Sequence, residues 1–401
     1  MIKKIIKKKE KVSINKRDKR TSRIIIYIIS FFVALSSAIP AYVNSSFIEK
    51  FTNASMAGWF FVAANTAAFI AMLYFPKVIR KINNLMSVKI MMLVDLASLI
   101  VLMLSHNIIL LFIAFVLMWV SSQLIFNNLD IFVESFTKDS STGKIRAVFF
   151  TFMNFGWIIS PLVAAKLIVA DYYSLVYLVA AAFILLSYFI IIFNKKRIFK
   201  PTIYDKVSIK KTISDFWHNQ SLKGIYFSSF FLNLFYNSAV VFIPIYLHNT
   251  IGFDWITLGI MFSIMLIPFV LIEIPAGIIA DKYLGEKEIM SIGFVILIIS
   301  LLLFFFVKST SPFVWGAVLF FSRMGAALIE SMREARFFKI VDAKNVSYIN
   351  FLRTSNSLGY LVGSGLSVLL LCFYDIQYSF LFLAVLFLYS FYFVCIIKDS
   401  K

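Results

Sequence analysis

Twelve apolar stretches, each long enough to cross a lipid bilayer, constrain this chain more than any other feature of its sequence. A membrane-spanning helix needs about 20 predominantly apolar residues, because the hydrocarbon core of a bilayer is about 30 Å thick. The stretches cover residues 24–43, 57–75, 88–104, 108–133, 147–169, 175–193, 225–247, 255–280, 289–307, 313–329, 348–373 and 378–397. The first is too long for the apolar core of a signal peptide. We therefore predict an all-α integral membrane protein with twelve transmembrane helices.

Basic residues indicate how these helices are oriented. Of the 39 Lys and Arg residues, only Lys50, Lys166 and Lys308 fall in the loops predicted on the outer side, and Arg323 falls within a span. All others lie in the tails, in the alternate loops of the opposite side or near the span ends beside those loops, and such segments face the cytoplasm. We expect a multi-pass protein of the cytoplasmic membrane with both termini inside. The net charge of +19 therefore indicates membrane topology and not nucleic-acid binding.

The chain repeats itself roughly 200 residues apart, which predicts two related halves. Ile39-Pro40-Ala41-Tyr42 recurs as Ile243-Pro244-Ile245-Tyr246, Asp130 and Glu134 recur as Glu330 and Glu334, and Gly156 and Ser160 recur as Gly359 and Gly363. We expect a basic tail (1–23), an N-terminal six-helix bundle (24–194), a cytoplasmic linker (195–224), a C-terminal six-helix bundle (225–397) and a short cytoplasmic tail (398–401). The linker residues Ile209, Ile213, Phe216 and Trp217 share one helical face, which fits either an interfacial helix or a plain solvated linker.

Polar residues inside the spans need an explanation, since charge in hydrocarbon is costly. Gln123, Asn127, Asp130 and Glu134 share one face of the fourth span, and Arg323, Glu330 and Glu334 repeat the pattern on the tenth. These faces must line a cavity or contact other helices. Asn233, Tyr236 and Asn237 form a similar cluster in the seventh span, either to orient a solute or to join helices. For Arg323, the expected partner is Glu330 or Glu273. Arg323 and this partner would either bind the solute or form a permanent ion pair.

The sequence resembles the major facilitator superfamily over essentially its whole length. The motif that carries the resemblance follows the eighth span, with Gly277, Asp281, Lys282 and Gly285 at the spacing of that family's loop signature. The first-half copy departs from it, with Pro76, Arg80 and Asn83-Asn84 in the corresponding places. Small residues around Gly156 and Pro161 weakly resemble the family's drug–proton antiporter pattern, but we favour a helix-packing seam as their explanation. The resemblance implies a central cavity lined by the first, fourth, seventh and tenth helices.

We therefore expect a secondary transporter of a small solute that works by alternating access, with proton-coupled export of an amphipathic compound as the first hypothesis. The alternatives are uptake or facilitated diffusion of a metabolite, and a receptor or assembly factor on a transporter scaffold. The proposed cavity residues are Gln123, Asn127, Asn233, Tyr236, Asn237 and Arg323. The proton-coupling candidates are Asp130, Glu273 and Glu330. The proposed cytoplasmic gate comprises Arg80, Lys81, Glu134, Arg146, Gly277, Asp281, Lys282, Gly285, Glu334 and Arg353.

Chemistry beyond transport finds little support in the sequence. Ser141-Thr142-Gly143-Lys144 lacks the upstream glycine of a phosphate-binding loop, and no nucleophile–base constellation stands out. The three histidines and two cysteines have no metal-ligand spacing. We expect no enzymatic activity, no metal, no cofactor and no nucleic acid, with a small molecule, protons and lipid as the partners of a monomer.

Overall fold

The computed structural model describes residues 16–52, 54–136, 142–168, 173–198, 207–341, 345–371 and 373–398, and within these ranges it is helical with no β-strand. Its twelve long helices are α1 Lys16–Ala41, α2 Ala54–Ile82, α3 Asn84–Leu104, α4 Ile108–Ser135, α5 Thr142–Ile168, α6 Tyr173–Phe193, α7 Gln220–Ile251, α8 Trp255–Ala280, α9 Glu286–Phe306, α10 Pro312–Ile340, α11 Val346–Leu371 and α12 Ile376–Cys395. Among the described residues, eleven of these helices are long and apolar enough to span a membrane. The twelfth, α11, has 26 residues and a more polar sequence. The predicted twelve-helix membrane fold is confirmed.

Several helices continue past the ends predicted from hydropathy, because charged residues end an apolar run without ending a helix. The tenth span was expected to stop at residue 329, yet α10 reaches Ile340 and carries Arg333 and Glu334 on regular helical backbone. Helix α5 likewise begins at Thr142, before the predicted start. These extensions bring charged side chains together on the side we predict to be cytoplasmic.

Helix packing repeats between the two halves of the chain. The neighbours α1–α5, α1–α6, α2–α4, α3–α4 and α3–α6 in the first half match α7–α11, α7–α12, α8–α10, α9–α10 and α9–α12 in the second. The main contacts between the halves are also a related pair, α2 with α11 and α5 with α8. This pattern is that of two pseudo-symmetric six-helix bundles, as the internal repeat predicts.

Two glycines of the repeat occupy equivalent positions and allow equivalent close contacts. A Cβ at Gly156 of α5 would lie 2.8 Å from the Cβ of Ala34 in α1, and one at Gly359 of α11 would lie 2.7 Å from the carbonyl oxygen of Phe230 in α7. Pro161 and Ala165, also part of the antiporter-like pattern, pack against Gly259 of α8. The small residues of α5 therefore form packing contacts on both sides of the helix.

Helices α7 and α8 are irregular where prolines interrupt their hydrogen bonding. Helix α7 changes to π-helical geometry at Ser238–Phe242 and again at Tyr246–Ile251, on either side of Pro244. Helix α8 is divided into Trp255–Met265, Ile267–Leu271 and Glu273–Lys282, and the last segment continues two residues beyond the membrane-spanning stretch that ends at Ala280. The second break places Glu273 in the first turn of a helical segment, where an acidic side chain faces the positive end of the helix dipole.

The linker contains a ten-residue helix, Ile209–His218, capped by Ser208. Its Phe216 ring is buried against Tyr226, Tyr348 and Phe351 of α7 and α11. On the other face Ile213 and Trp217 are exposed, and the Lys223 ammonium lies 4.5 Å from the centre of the Trp217 ring. The amphipathic helix, one of the two expected readings of the linker, is present and is docked on the second half.

Candidate functional site

A cavity of about 230 Å³ lies between the two halves. The first half contributes Ser36, Ser37, Pro40, Ala41, Asn44, Met72, Asp95, Leu99, Met118, Trp119, Ser122, Gln123, Phe126, Asn127, Asp130, Phe149, Phe150, Met153 and Trp157. The second half contributes Asn233, Tyr236, Val240, Glu330, Arg333, Arg353, Asn356 and Tyr360. Both halves thus supply polar groups, whereas the aromatic rings come mostly from α4 and α5.

The wall formed by the first half holds a buried carboxyl group in a row of hydroxyls. Asp95 of α3 accepts a hydrogen bond from the Ser121 hydroxyl at 3.0 Å. The hydroxyls of Ser37 and Ser122 lie 2.8 Å apart, joining α1 to α4. Asp95 makes no ion pair with any described residue. A carboxyl group with only a neutral partner can bind either a proton or a cation.

The wall formed by the second half has the same character. The Tyr236 hydroxyl donates to Glu330 Oε2 at 2.5 Å, and Asn233 Nδ2 donates to Asn356 Oδ1 at 2.9 Å. Glu330, like Asp95, forms no ion pair with a described residue. The cavity therefore has one carboxyl group on each side that neither Arg nor Lys neutralises by direct contact.

An ion-pair network closes the end of the cavity that we predict to be cytoplasmic. Arg146 of α5 contacts Asp130 at 3.0 Å and Glu334 at 3.1 Å, and Arg353 of α11 contacts the same two carboxylates at 2.8 and 2.5 Å. Two of these contacts join the halves, Arg146–Glu334 and Arg353–Asp130. All four side chains are at most 9% exposed. We call this four-membered arrangement the ion-pair ring.

Two further charges complete the network. Glu134 contacts Arg146 at 3.4 Å, and Arg333 contacts Glu334 at 2.7 Å and donates to the Ser229 hydroxyl. With these included, the buried cluster contains three arginines and three carboxylates among the described residues. Loss of any one member leaves a buried charge without compensation.

Apolar contacts join the halves toward the opposite end. The Tyr42 ring of α1 stacks on Phe262 of α8, with 5.3 Å between the ring centres. Val241 and Phe242 of α7 are buried in the apolar core of the first half. The two ends of the cavity are therefore held by different forces, ionic at one end and apolar at the other.

Arg323 does not have the partner predicted for it. It is 2% exposed and forms no ion pair with Glu330, Glu273 or another described carboxylate. Its guanidinium lies 5.1 Å from the centre of the Phe235 ring, and its electrostatic neighbours are the hydroxyls of Tyr42, Tyr236 and Tyr360. Arg323 and Tyr42 are outside the cavity lining, whereas Tyr236 and Tyr360 belong to it.

The other predicted cavity and proton-coupling residues divide into those that line the cavity and those that lie outside it. Gln123, Asn127, Asn233 and Tyr236 line it, whereas Asn237 is buried between α7 and α11, where its Oδ1 accepts from Ser364 at 2.8 Å. Asp130 and Glu330 also line it. Glu273 lies outside the lining and is 8% exposed, with Asn154 Nδ2 3.4 Å away.

The predicted gate set separates into two groups. The structure brings Glu134, Arg146, Glu334 and Arg353 together with Asp130. Asp130 is a proton-coupling candidate, but its position one turn from Glu134 favours a gate ion pair as the stronger interpretation of the sequence. The family-motif residues lie apart from this network. Lys81 and Lys282 are exposed, and Arg80 donates to the Ser347 hydroxyl of α11 at 3.4 Å. The side chain of Asp281 lies outside the described residues.

Of the motif glycines, Gly277 makes no close helix contact and Gly285 makes no turn that requires glycine. An added Cβ at Gly277 would meet no heavy atom within 4 Å, so this glycine permits no close helix contact in the described structure. Gly285 has a φ of −107°, open to any residue. In the degraded first copy, Asn83 has a φ of 64° and accepts a hydrogen bond from Met86 N. The turn that favours glycine therefore lies in the first half.

Sequence reasoning missed several cavity residues. Asn356 and Tyr360 lie at i+3 and i+7 from the predicted gate residue Arg353 on α11, a helical stripe that could have been recognised by its period. Asp95 also lines the cavity, where it accepts a hydrogen bond from Ser121. Its position could not be inferred from α3 alone, because one acidic residue in a mostly apolar helix does not indicate which neighbouring helices it faces.

Comparison with known proteins agrees with this architecture. The family model described as Major Facilitator Superfamily matches residues 26–332 and 256–401. Among solved structures, the human organic anion transporter MFSD10 superposes with a TM-score of 0.73 at 12% identity, covering 94% of this chain and 99% of its own. A variant of the nucleoside transporter NupG superposes with a TM-score of 0.69 at 15% identity, covering 94% and 100%.

A search of curated proteins finds no sequence match. The two structural neighbours are distant in sequence and show the fold alone, whereas the family model covers most of the chain. The chain is thus a membrane transporter and no enzyme, and it belongs to the major facilitator superfamily.

Proposed function

We propose that this protein exports a small amphipathic organic cation across the cytoplasmic membrane by alternating access, in exchange for protons. The observation that carries the proposal is the cavity between the halves, with an ion-pair ring at one end and apolar contacts at the other. In this account the bundles 24–194 and 225–397 rock about the cavity, so that one end opens while the other closes. A monomer contains the whole pathway.

The distribution of Lys and Arg supports the proposed orientation. The ion-pair ring lies at the ends of α4 and α10 and the starts of α5 and α11, which the basic loops place in the cytoplasm. The described state is then closed toward the cytoplasm.

The lining of the cavity supports a cationic solute. Asp95 and Glu330 face it without ion-pair partners, while Arg353 and Arg333 are already engaged by Asp130 and Glu334. The rings of Trp119, Trp157, Phe126, Phe149 and Phe150 offer apolar surface and π-faces that attract a cation. An organic anion, the substrate class for which MFSD10 is named, would instead have to lie beside these two carboxyl groups.

The same carboxyl groups support proton exchange. A cation that enters the cavity is best bound by ionised Asp95 and Glu330, so binding releases their protons. After the cation leaves on the outside, protons from that side rebind to the carboxyl groups. The protein, with no cation in its cavity, then returns to the cytoplasm-open state. Glu273, also buried and without an ion pair, is a further proton site on this path. Binding of either the cation or the protons, but not both, gives obligatory exchange.

The proposal is tested with purified protein in liposomes that enclose a pH-sensitive dye. A panel of lipophilic cations and of organic anions of similar size is added outside, and the internal pH is recorded. We expect a saturable pH change with cations only. Glu330→Gln should reduce it to the level of protein-free liposomes, whereas Glu49→Gln, the same chemical change outside the spans, should leave it intact.

Two results would contradict the proposal. If labelled cation equilibrates saturably without any pH change, the protein is a facilitator and its carboxyl groups have structural or gating roles. If no solute moves but one binds tightly, the receptor alternative replaces transport.

A further inference from the structure

A second cavity, of about 210 Å³, lies away from the central one, where the linker helix meets α2 and α11. Its lining, among the residues that the structure describes, includes three basic residues, Lys77, Arg80 and Lys210, and no Asp or Glu. The volume corresponds to roughly seven waters of liquid, since one water occupies about 30 Å³. Nothing in the proposed transport cycle uses this space.

The basic residues come from separate elements and converge on one point. Lys77 and Arg80 lie near the end of α2, in the first half, while Lys210 lies in the first turn of the linker helix. The Arg80 guanidinium donates to Ser347 of α11, so its position is fixed. Lys77 and Lys210 form no ion pair with a described residue, although two cations beside one cavity repel each other.

The surroundings of this cavity indicate a lipid-facing position. Ile213 and Trp217 project from the same linker helix and are exposed, as an interfacial helix requires. The side chains of Tyr74 and Val78, which are close to Lys77 along α2, are also exposed. Under the topology of the proposed function, this places the cavity at the headgroup level of the cytoplasmic leaflet, whose anionic lipids attract clustered Lys and Arg.

We propose that this cavity, lined by Lys77, Arg80 and Lys210, binds the phosphate group of an anionic phospholipid. The ligand chemistry is a phosphate ester, which a cluster of cations and hydroxyl donors recognises. Ser347 and Thr212 supply hydroxyls at the wall. A lipid acyl chain attached to the phosphate would lie along the exposed apolar face beside Tyr74.

Occupation of this cavity would also favour one state of the transporter. Its walls come from both halves, because α2 belongs to the first and α11 to the second. Asn350 lines it and accepts a hydrogen bond of 2.7 Å from Asn127, which lines the central cavity. A headgroup held between α2 and α11 would therefore strengthen the same closure that the ion-pair ring maintains.

The test is native mass spectrometry of the full chain, released from detergent with phosphatidylglycerol, phosphatidylcholine or inorganic phosphate. We expect one phosphatidylglycerol to be retained and phosphatidylcholine to be lost. Each lysine near an anionic headgroup contributes about a fivefold change in affinity. The double variant Lys77→Gln/Lys210→Gln should therefore bind phosphatidylglycerol roughly 25-fold more weakly.

The matched control is Lys81→Gln/Lys211→Gln, which removes the same charge from neighbouring exposed positions outside the lining. If the control loses as much affinity as the test variant, or if the test variant binds normally, the site does not exist. Competition by millimolar inorganic phosphate, with no preference among lipids, would overturn the lipid assignment in favour of a soluble anion. Because binding is measured without transport, failure here is distinguishable from failure of the proposed function, which rests on solute flux.

Discussion

The ion-pair ring predicts how replacing one carboxylate by an uncharged side chain changes the ratio of the cytoplasm-closed and cytoplasm-open states. Asp130→Asn removes the partner of Arg353 across the interface and one of the partners of Arg146. Two unit charges about 4 Å apart attract by about 4 kcal/mol at an effective dielectric constant of 20. The desolvation that closure imposes on the charges offsets part of this attraction. Glu334 still contacts both arginines in the variant, which limits the loss further.

We therefore expect the closed state to lose about 1.5–3 kcal/mol relative to the cytoplasm-open state, a shift of roughly ten- to a hundredfold in their ratio. The measurement is the distance between spin labels on the two halves, by pulsed electron paramagnetic resonance. Lys81→Cys and Lys282→Cys provide exposed label sites in the first and second halves, after replacement of Cys372 and Cys395 by Ser. Wild type should show mainly the short distance, and Asp130→Asn should add a longer one.

A double-mutant cycle identifies the cause. If the Arg353–Asp130 contact carries the effect, Arg353→Gln combined with Asp130→Asn should shift the ratio by less than the sum of the two single changes. Asp375→Asn, at the start of α12 on the opposite side, serves as the control because its side chain makes no capping hydrogen bond. An unchanged distance distribution in Asp130→Asn, or strictly additive effects, would refute the gating role of the ring.

Two further substitutions test the packing and the helix ends. Gly359→Ala should lower the free energy of unfolding by about 1–3 kcal/mol, because its new methyl group would lie 2.7 Å from the Phe230 carbonyl oxygen. Gly365→Ala is the control, since its methyl group would meet no atom within 4 Å and should cause no such loss. Thermal unfolding in detergent compares the two variants. Asp254→Ala should remove about 1 kcal/mol at pH 7, since Asp254 caps α8. Hydrogen bonds from Thr257 lower the pKa of Asp254 in the folded state. Its contribution is therefore complete above the unfolded pKa, and the deficit of the variant should shrink only as the pH falls below about 4.

The fold could be predicted from the sequence because a bilayer restricts the kinds of structure that can span it. Apolar length sets the number of helices, and the distribution of Lys and Arg gives a prediction for their orientation. The repeat pairs Gly156 with Gly359, and the structure places both at equivalent helix crossings. The helix face on which each residue lies could therefore be predicted from the sequence, since each span presents a fixed set of faces.

The site was less predictable because its contacts join helices that are distant in sequence. The period of α4 and α10 placed Asp130 and Glu334 on inward faces, but only the packing of α5 and α11 brings Arg146 and Arg353 between them. For Arg323, the nearest acid along the helix was the obvious partner, yet Tyr236 binds Glu330 instead. A single face of one helix does not reveal which neighbour is within reach.

Alternating access itself is tested most directly by the reactivity of one cavity position from each side of the membrane. Gln123→Cys, with Cys372 and Cys395 replaced by Ser, is reacted with a membrane-impermeant maleimide applied to the outside or to the inside of sealed vesicles. We predict reaction from the outer side in the otherwise unaltered protein and increased reaction from the cytoplasmic side when Asp130→Asn is added. Equal reaction from both sides, unaffected by Asp130→Asn, would contradict the account.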